Sequence, residues 1–253
     1  MSQSVRDFEW IVVDGGSTDG SKEFIELHQK QFSFWSSEPD SGIFNAMNKG
    51  ISHANGDYLN FMNSGDSFCN AAVVANVLPH LGKADILYGE CELDNVEQPF
   101  TMRYPSNLTL GYFMKGDICH QASFIRRSLL ESGYRENLRI VSDWCRFVEL
   151  FVEGKTFSYL GFPVCRYDVC GVSNTQKELY LEERKMCLKE MLSKNSSNFF
   201  AEMIRMQSLI EQFDTYEHHA VDRLISRGHF RKKFLTRFLE IIDFIDKKLG
   251  CYY

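Results

Sequence analysis

Two acidic residues stand directly after apolar, strand-like segments, a position in which a side chain is held at the edge of a sheet. Asp14 follows the run EWIVV at residues 9–13, and Asp66 closes the stretch YLNFMNSGD at residues 58–66. Ligands of parallel α/β sheets collect at the carboxyl ends of the strands. We therefore expect both carboxylates to face one crevice, with a solvated surface turn as the alternative for Asp66.

The segments around these two acids alternate between strand and helix. Strands are predicted at residues 9–13, 32–35 and 57–62. Helices with apolar residues at three- and four-residue spacing are predicted from a cap at Ser17 or Asp19 to about Leu27, from Ile43 to Ala54, and from Ala71 to Leu81. Strands joined through helices by short loops form right-handed crossovers, so a parallel sheet is expected.

The pattern changes after about residue 82. Further strands are predicted at residues 85–93, 98–104 and 118–125, followed by a pair of strands within residues 156–167. A helix capped by Ser142 and Asp143 is predicted to run to about Glu153, and the chain is mostly helical from Gln176 onward. These changes predict a domain over residues 1–175 and a helical C-terminal extension over residues 176–253.

The composition is that of a globular protein and excludes several classes. The chain has 253 residues, of which 44% are hydrophobic and 25% charged, and its formal net charge is -6. A general nucleic-acid binder would carry a basic field, so no nucleic-acid partner is expected. No apolar run approaches the ~18 residues of a membrane span. The first residues lack the apolar stretch of a signal peptide, so a cytoplasmic location is expected.

Eight cysteines are spread along the chain without a recognisable spacing. They lie at positions 69, 91, 119, 145, 165, 170, 187 and 251. No two of them have the C-x-x-C spacing of a zinc or redox motif. Most stand in apolar surroundings, so we expect reduced, buried thiols that pack as small hydrophobic groups.

Four segments, taken in order, resemble a known family. They are EWIVVDGGSTDGS at 9–21, SEPDSGIFNAMNKGISHANGDYLNFMNSGD at 37–66, HQASFIRRSLL at 120–130 and SDW at 142–144. Together they resemble the family 2 glycosyltransferases, which are inverting enzymes of the GT-A fold. The similarity is greatest to members that build bacterial cell-surface polysaccharides of the colanic-acid and lipopolysaccharide type.

The resemblance covers roughly residues 3–175. It implies an α/β domain whose mostly parallel sheet is sandwiched by helices. It also implies transfer of a sugar from a UDP-, GDP- or dTDP-sugar donor to a glycan or lipid-linked acceptor. A sugar-nucleotide transferase, which makes such donors, is disfavoured because its Gly-rich, basic loop is not found early in the chain.

The resemblance assigns five residues to the donor side. Asp14 matches an acid that contacts the base or ribose, and Asp40 and Lys49 match a segment that lies across the nucleotide. Asn63 takes the first place of the family's metal motif and Asp66 the last, which implies Mg²⁺ or Mn²⁺ at Asp66. The structural alternatives are a helix-dipole contact for Asp14, a solvated side chain for Lys49 and a plain turn for Asp66.

Other residues match the acceptor side of the family. Asp143 aligns with the general base, which takes the proton of the acceptor hydroxyl opposite the leaving group. A helix N-cap is the alternative for Asp143, and the two roles are compatible. His120 and Gln121 match a His-Gln pair on the acceptor or donor-sugar side, with a structural histidine as the alternative. The stretch YDVCGVS at 167–173 resembles a late loop that closes over the substrates.

The first residues depart from the family pattern. SQSVRDFEW at 2–10 resembles the end of the family's first helix, so its first strand and most of that helix are expected to be absent. Three explanations stay open: a preceding segment of the natural protein, replacement by rearrangement or by another chain, and a degraded relative that folds poorly and catalyses nothing. The alternative function is that of a catalytically silent relative that binds a glycan or a partner. Homo-oligomer formation also stays open.

The C-terminal stretch suggests a contact with a membrane surface. RKKFLTRFLEIIDFIDKKLG at 231–250 places apolar residues on one broad stripe flanked by lysines and arginines. Such a helix is able to lie on an anionic membrane at the inner face of the cytoplasmic membrane, near a lipid-linked acceptor. The alternative is a helix that docks on the catalytic domain or on a second copy of the chain.

Overall fold

The structure is a computed structural model that describes residues 3–94, 96, 100–169, 171 and 176–194. The chain divides into one unit of Met1–Asn107 with Ile118–Glu183, and a second of Leu108–Asp117 with Arg184–Tyr253. The amphipathic stretch 231–250 lies outside the described residues, and the domain boundary near residue 175 stays a prediction. Within the described part of the chain, no helix combines the length and the apolar character needed to cross a membrane.

The elements within the described residues follow in chain order. The strands are β1 (Ile11–Asp14), β2 (Phe34–Ser37), β3 (Tyr58–Leu59), β4 (Ser67–Phe68), β5 (Ile86–Asp94), β6 (Phe100–Met102), β7 (Ser123–Arg126) and β8 (Phe157–Asp168). The α-helices are α1 (Ser21–His28), α2 (Ile43–His53), α3 (Val73–Val77), α4 (Leu110–Lys115), α5 (Ser142–Val152) and α6 (Lys177–Lys194). This succession of strands and helices confirms the predicted α/β class.

The first two strands form the parallel pair that the sequence predicts. β1 and β2 run side by side with Val12 opposite Trp35 and Asp14 opposite Ser37. Helix α1 connects them, as expected for a right-handed crossover. The carboxyl ends of both strands therefore meet at one edge, with Asp14 at the end of β1.

The remaining strands form a six-stranded sheet of mixed direction. Its order is β3-β7-β5-β8-β4, with β6 also paired to β5, and only β5 and β8 run parallel. The prediction that the strand after α2 joins β1 and β2 is wrong for the described residues, because β3 pairs antiparallel with β7 through Tyr58 and Arg126. The Asn60 side chain ends β3, since its amide donates to the carbonyls of Gln121 (2.8 Å) and Ser123 (3.0 Å).

Strand β5 is the centre of the core in the first unit. Its residues from Ile86 to Cys91 are all buried. A Cβ on Gly89 would lie 2.4 Å from Val164 Cγ2, so β8 approaches β5 closely at this point. Only glycine permits this approach, and the register of the two strands shifts between Tyr88 and Glu90.

Four predictions about the bounds of elements are wrong. The predicted strand pair at 156–167 is one strand, β8, and the strand predicted from residue 118 begins at Ser123 because His120–Ala122 form a 3-10 turn. Helix α1 begins after Gly20, whose φ of 96° a residue with a Cβ rarely adopts. Val141, not Ser142 or Asp143, is the N-cap of α5, so Asp143 lies in the first turn.

The segment that leads into α5 is held by a buried acid from α6. Glu183 is 5% exposed, and its carboxylate accepts hydrogen bonds from the backbone N–H groups of Arg139 (2.7 Å), Ile140 (2.9 Å) and Val141 (3.2 Å). Hydrogen bonds to a charged acceptor are stronger than neutral ones. Glu183 therefore fixes the backbone from which α5 and Asp143 start.

Glu183→Ala is expected to lower the free energy of unfolding by about 2–4 kcal/mol, because the buried N–H groups of Ile140 and Val141 and the partly buried N–H of Arg139 lose their acceptor. Glu183→Gln keeps one acceptor oxygen and is expected to cost less. Urea unfolding followed by circular dichroism measures both effects. Glu182→Ala is the matched control, since Glu182 is the exposed neighbour on the same helix. Equal losses for Glu182→Ala and Glu183→Ala would contradict this role.

Candidate functional site

Asp14 organises the loop that follows β1. Its buried carboxylate accepts hydrogen bonds from the N–H groups of Gly16 (3.2 Å) and Ser17 (3.1 Å), from the Ser37 hydroxyl (2.7 Å) and from the Ser17 hydroxyl. The two serine hydroxyls hold the pKa of Asp14 below its usual value, so the group is ionised. Hydrogen-bond donors of the protein therefore already occupy most of the acceptor positions of the Asp14 carboxylate. Direct contact with a ligand requires that one of them give way.

Asp40 lies against the same loop. A Cβ on Gly15 would be only 2.6 Å from Asp40 Oδ2, and Asp40 Oδ1 accepts a hydrogen bond from Gly42 N at 2.9 Å. Gly16 adopts a φ of 86°, which glycine tolerates without strain. The glycines therefore let the loops after β1 and β2 approach closely, and the structure brings the predicted residues Asp14 and Asp40 together.

Lys49 is engaged by an acid of the neighbouring loop. Its Nζ lies 2.9 Å from Glu38 Oε1, and this contact holds the pKa of Glu38 below its usual value. The Lys49 side chain is 28% exposed, whereas that of Glu38 is 60% exposed. An anionic ligand that reaches Lys49 must compete with Glu38, whose exposed position leaves it free to move.

Asp66 joins three separate segments of the chain. Asn63 O accepts a hydrogen bond from Asp66 N (3.1 Å) and closes the turn in which Gly65 has a φ of 93°. Asp66 Oδ1 accepts from the backbone N–H of Asp168 (2.9 Å), and Oδ2 accepts from Gln121 Nε2 (2.8 Å). Burial raises the pKa of Asp66 despite these bonds. The predicted residues Asn63, Asp66 and Gln121 therefore cluster.

The same place contains a carboxylate that the sequence reasoning missed. Asp168 ends β8, and a Cβ on Gly65 would lie 2.9 Å from Asp168 Oδ2. The signal was an acid at the end of a strand, as for Asp14 and Asp66. It was overlooked because residues 167–173 were interpreted only as a closing loop.

The carboxylate oxygens of Asp66 and Asp168 fit a hard divalent cation whose other ligands come from a bound phosphate and from water. Gln121 donates to one carboxylate oxygen of Asp66 and the Asp168 backbone to the other, so each oxygen keeps capacity for a cation, and Asp168 adds a second carboxylate. Among the described residues, no group of three or more histidine or carboxylate side chains converges on one point. Mg²⁺ and Mn²⁺ suit such a sparse site, because phosphate and water oxygens complete their coordination.

Asp143 lies in the first turn of α5 with a perturbed ionisation. Its Oδ1 accepts a hydrogen bond from Trp144 N at 2.8 Å. Burial raises the pKa of Asp143 to about 6. A carboxylate with a pKa near 6 is suited to proton transfer near neutral pH.

His120 is buried in an aromatic cluster. Its Nε2 lies 2.8 Å from the Tyr134 hydroxyl, and its ring stacks on Phe61 with centroids 5.0 Å apart. Burial lowers the pKa of His120 to about 3, which keeps the ring neutral. The packing favours the structural alternative and makes His120 a support for the neighbouring Gln121. A role for His120 on the sugar side stays a prediction.

Comparison with known proteins identifies a family and a set of relatives. The model of the family described as glycosyl transferase family 2 matches residues 1–141. An uncharacterized glycosyltransferase of Mycobacterium tuberculosis is 35% identical over 175 residues, which are 66% of this chain and 65% of the relative. A PGL/p-HBAD biosynthesis glycosyltransferase of Mycobacterium bovis is 30% identical over 184 residues, 68% of this chain and 70% of the relative. The match thus spans just under two thirds of the first relative.

Solved structures are similar in fold. Staphylococcus aureus TarS 1–349 superposes with a TM-score of 0.60 at 17% identity, covering 90% of this chain and 69% of that chain. The mannosyltransferase PcManGT of Pyrobaculum calidifontis gives a TM-score of 0.55 at 15% identity, covering 77% and 58%. At these identities the likeness concerns the fold alone. It confirms the GT-A fold that the sequence predicts.

The ionisation of Asp143 predicts a pH-dependent cost in stability. Its pKa rises from 3.8, the ordinary value, to about 6 in the fold, so ionisation disfavours the folded state. Below pH 3.8 the group is protonated in both states and the cost is absent. It grows as pH rises to about 6 and is constant above. Asp143→Asn removes it and is expected to stabilise the protein by about 1–3 kcal/mol at pH 7.

Urea unfolding of both proteins between pH 4 and 8 checks this expectation. Asp57→Asn is the matched control, because Asp57 is exposed. A stability difference between Asp143→Asn and the unchanged chain that does not vary with pH would show that Asp143 titrates normally.

Proposed function

Because this chain belongs to glycosyl transferase family 2, we propose that it transfers a sugar from a nucleotide-sugar donor to an acceptor hydroxyl with inversion at the anomeric carbon. The observation that carries the proposal is the arrangement of acids. Asp66 and Asp168 lie together, and Asp143, which burial gives a pKa of about 6, stands in the first turn of α5. Such an arrangement supplies groups for the leaving diphosphate and for the attacking hydroxyl.

The donor nucleotide is proposed to lie along the loops after β1 and β2. Asp14 shapes the first loop, Asp40 offers an acceptor for a base or ribose, and Lys49 offers a positive charge to the diphosphate once Glu38 moves aside. Two structural neighbours support a nucleotide-sugar as donor: TarS was solved with UDP-GlcNAc, and PcManGT with GDP-Man and Mn²⁺. The donor is proposed to be a UDP-, GDP- or dTDP-sugar.

Asp66 and Asp168 are proposed to hold Mg²⁺ or Mn²⁺ together with the diphosphate. When bound, the cation would neutralise the charge that develops on the leaving group. Gln121 holds the Asp66 carboxylate in place through its side-chain amide. Asn63 closes the turn through its backbone carbonyl, so a direct role for its side chain is not needed.

Asp143 is proposed to act as the general base. The acceptor O–H bond breaks and its proton passes to the Asp143 carboxylate, while the acceptor oxygen bonds to the anomeric carbon. The bond from that carbon to the diphosphate oxygen breaks, and its electron pair leaves with the nucleoside diphosphate. With a pKa of about 6, Asp143 is mostly deprotonated at pH 7 and still basic enough to accept the proton.

The acceptor is proposed to be a glycan or a lipid-linked glycan of a bacterial cell surface. Relatives named for PGL/p-HBAD biosynthesis support a biosynthetic role of this kind. A cytoplasmic location at the inner face of the membrane, with contact through residues 231–250, is part of the same proposal. Association of two copies remains an open alternative for that segment.

A panel of UDP-, GDP- and dTDP-sugars with Mn²⁺ tests the function. We expect calorimetry to show binding of at least one donor, and slow hydrolysis of that donor in the absence of acceptor. Asp143→Asn is expected to lower the hydrolysis rate by roughly 10²–10⁴ with little change in donor affinity, because only the proton acceptor is lost. The rate of the unchanged protein should fall below about pH 6.

Asp57→Asn, which changes an exposed acid, is the control and should retain full activity. Binding without hydrolysis or transfer would favour a catalytically silent relative. If no donor binds, the proposed function is wrong.

The metal assignment predicts a specific loss in Asp66→Asn and Asp168→Asn. Both variants keep the shape of the side chain but weaken an oxygen ligand. We expect the Mn²⁺ concentration for half-maximal donor binding to rise roughly tenfold or more, since even outer-shell changes cost 10–100-fold in metal affinity. Titration with Mn²⁺ at fixed donor measures this. An unchanged Mn²⁺ requirement in Asp66→Asn would exclude this residue as a ligand.

A further inference from the structure

Three cysteines that are far apart in the sequence meet beside Asp66. Cys91 in β5 and Cys165 in β8 are direct partners across the parallel strand pair. Cys119 stands immediately before the 3-10 turn that carries Gln121. The three sulfur atoms all lie within 4.8 Å of one another, and those of Cys119 and Cys165 are 3.5 Å apart.

These separations match those of sulfur ligands around a single ion. Zn²⁺ binds sulfur at about 2.3 Å, which places neighbouring sulfurs of a tetrahedral site about 3.8 Å apart. The 3.5 Å between the sulfurs of Cys119 and Cys165 lies close to this value, and the other two separations are below 4.8 Å, so small side-chain movements suffice. Cys91 and Cys165 are fully buried on paired strands, whereas Cys119 is partly exposed and gives a route for entry.

The chemistry of the cluster selects a different ion from the one at Asp66. Thiolates favour soft cations such as Zn²⁺ and Cu⁺, whereas carboxylates favour Mg²⁺ and Mn²⁺. Among the residues that the structure describes, no histidine or carboxylate joins the three cysteines. A trigonal set of thiolates, or one completed by a water molecule, meets the coordination of such a soft cation.

We propose that Cys91, Cys119 and Cys165 form a binding site for one thiophilic cation, Zn²⁺ or Cu⁺, separate from the oxygen-ligand site at Asp66 and Asp168. On binding, three S–H bonds break and three protons leave to solvent while three metal–sulfur bonds form. No electron is transferred. The site has a second consequence, which rests on the proposed function.

The cysteine site is linked to Asp66 through Gln121. The Cys119 thiol donates a hydrogen bond to Gln121 Oε1 at 3.3 Å, and Gln121 Nε2 donates to Asp66 Oδ2 at 2.8 Å. Metal binding removes the thiol proton and replaces a donor with an anionic sulfur. The Gln121 carbonyl then loses its donor, and its NH₂ group turns towards the thiolate and away from Asp66. Because Asp66 then loses the hydrogen bond that holds it in place, a soft cation at the cysteine site weakens binding of the nucleotide-sugar.

Titration of the full, reduced, metal-free chain with Cd²⁺ under anaerobic conditions tests the site directly. Cd²⁺ is a spectroscopic probe, because cadmium–thiolate bonds give an ultraviolet charge-transfer band. We expect the band to rise linearly to one equivalent with the intensity of three thiolates, with about three protons released per ion to a pH indicator, and Zn²⁺ to displace it. In the unchanged protein, no saturable band or a band of one thiolate would overturn the proposal.

Variants assign the band to the cluster. Cys119→Ala is expected to lower the affinity for Cd²⁺ at least tenfold, whereas Cys145→Ala is expected to leave it unchanged. Cys145 is a matched control because it is also fully buried and lies outside the cluster. Thermal unfolding of the metal-free variants checks that both are folded. A Cd²⁺ affinity that survives Cys119→Ala in a folded chain would place the ion elsewhere and contradict the proposal.

The link to Asp66 is tested separately. One equivalent of Zn²⁺ is expected to weaken Mn²⁺-supported donor binding about tenfold or more in the unchanged protein, and to have no effect in Cys119→Ala. If no donor binds under any condition, the proposed function fails while the Cd²⁺ result stands. If donors bind and Zn²⁺ has no effect despite a filled cysteine site, the link through Gln121 is wrong.

Discussion

The hydrogen bonds to Asp66 hold together the part of the molecule on which its chemistry depends. One carboxylate accepts from the Asp168 backbone at the end of β8 and from the Gln121 side chain after Cys119. It thereby joins three segments that are distant in sequence. The partial burial that makes these bonds strong also raises the pKa of Asp66, so the arrangement costs stability until positive charge arrives. This cost is the physical reason for the proposal that Asp66 binds a cation together with the diphosphate of the substrate.

The same exchange of stability for function occurs at Asp143. Its ionisation is disfavoured by burial, yet a carboxylate that titrates near pH 6 is what proton transfer at neutral pH requires. The fold compensates by anchoring the surrounding backbone. Glu183 fixes the segment before α5 with three hydrogen bonds. The backbone that carries Asp143 is therefore held in place although the ionisation of its side chain is unfavourable.

Local sequence patterns predicted features that depend on neighbouring residues. They did not predict contacts between residues that are far apart in the sequence. The parallel pair of β1 and β2, and the position of Asp14 at a strand end, follow from the run of apolar residues and its break. The partner of β3 does not, because it depends on β7 and on the Asn60 amide binding two carbonyls far along the chain. Asp168 was missed for a related reason: its proximity to Gly65 arises only when β8 pairs with β4.

The cluster of three cysteines is a further feature that the sequence did not indicate. Metal motifs are recognised by short, regular spacings, and Cys91, Cys119 and Cys165 have none, since sheet pairing brings two of them together and a turn supplies the third. The result is a sulfur cluster and an oxygen cluster that share Gln121. In the two proposed sites, soft and hard cations would not compete for the same ligands, but each would alter the hydrogen bond on which the other site depends. Because such coupling is reciprocal, filling the oxygen site with cation and diphosphate must disfavour the soft cation to the same extent.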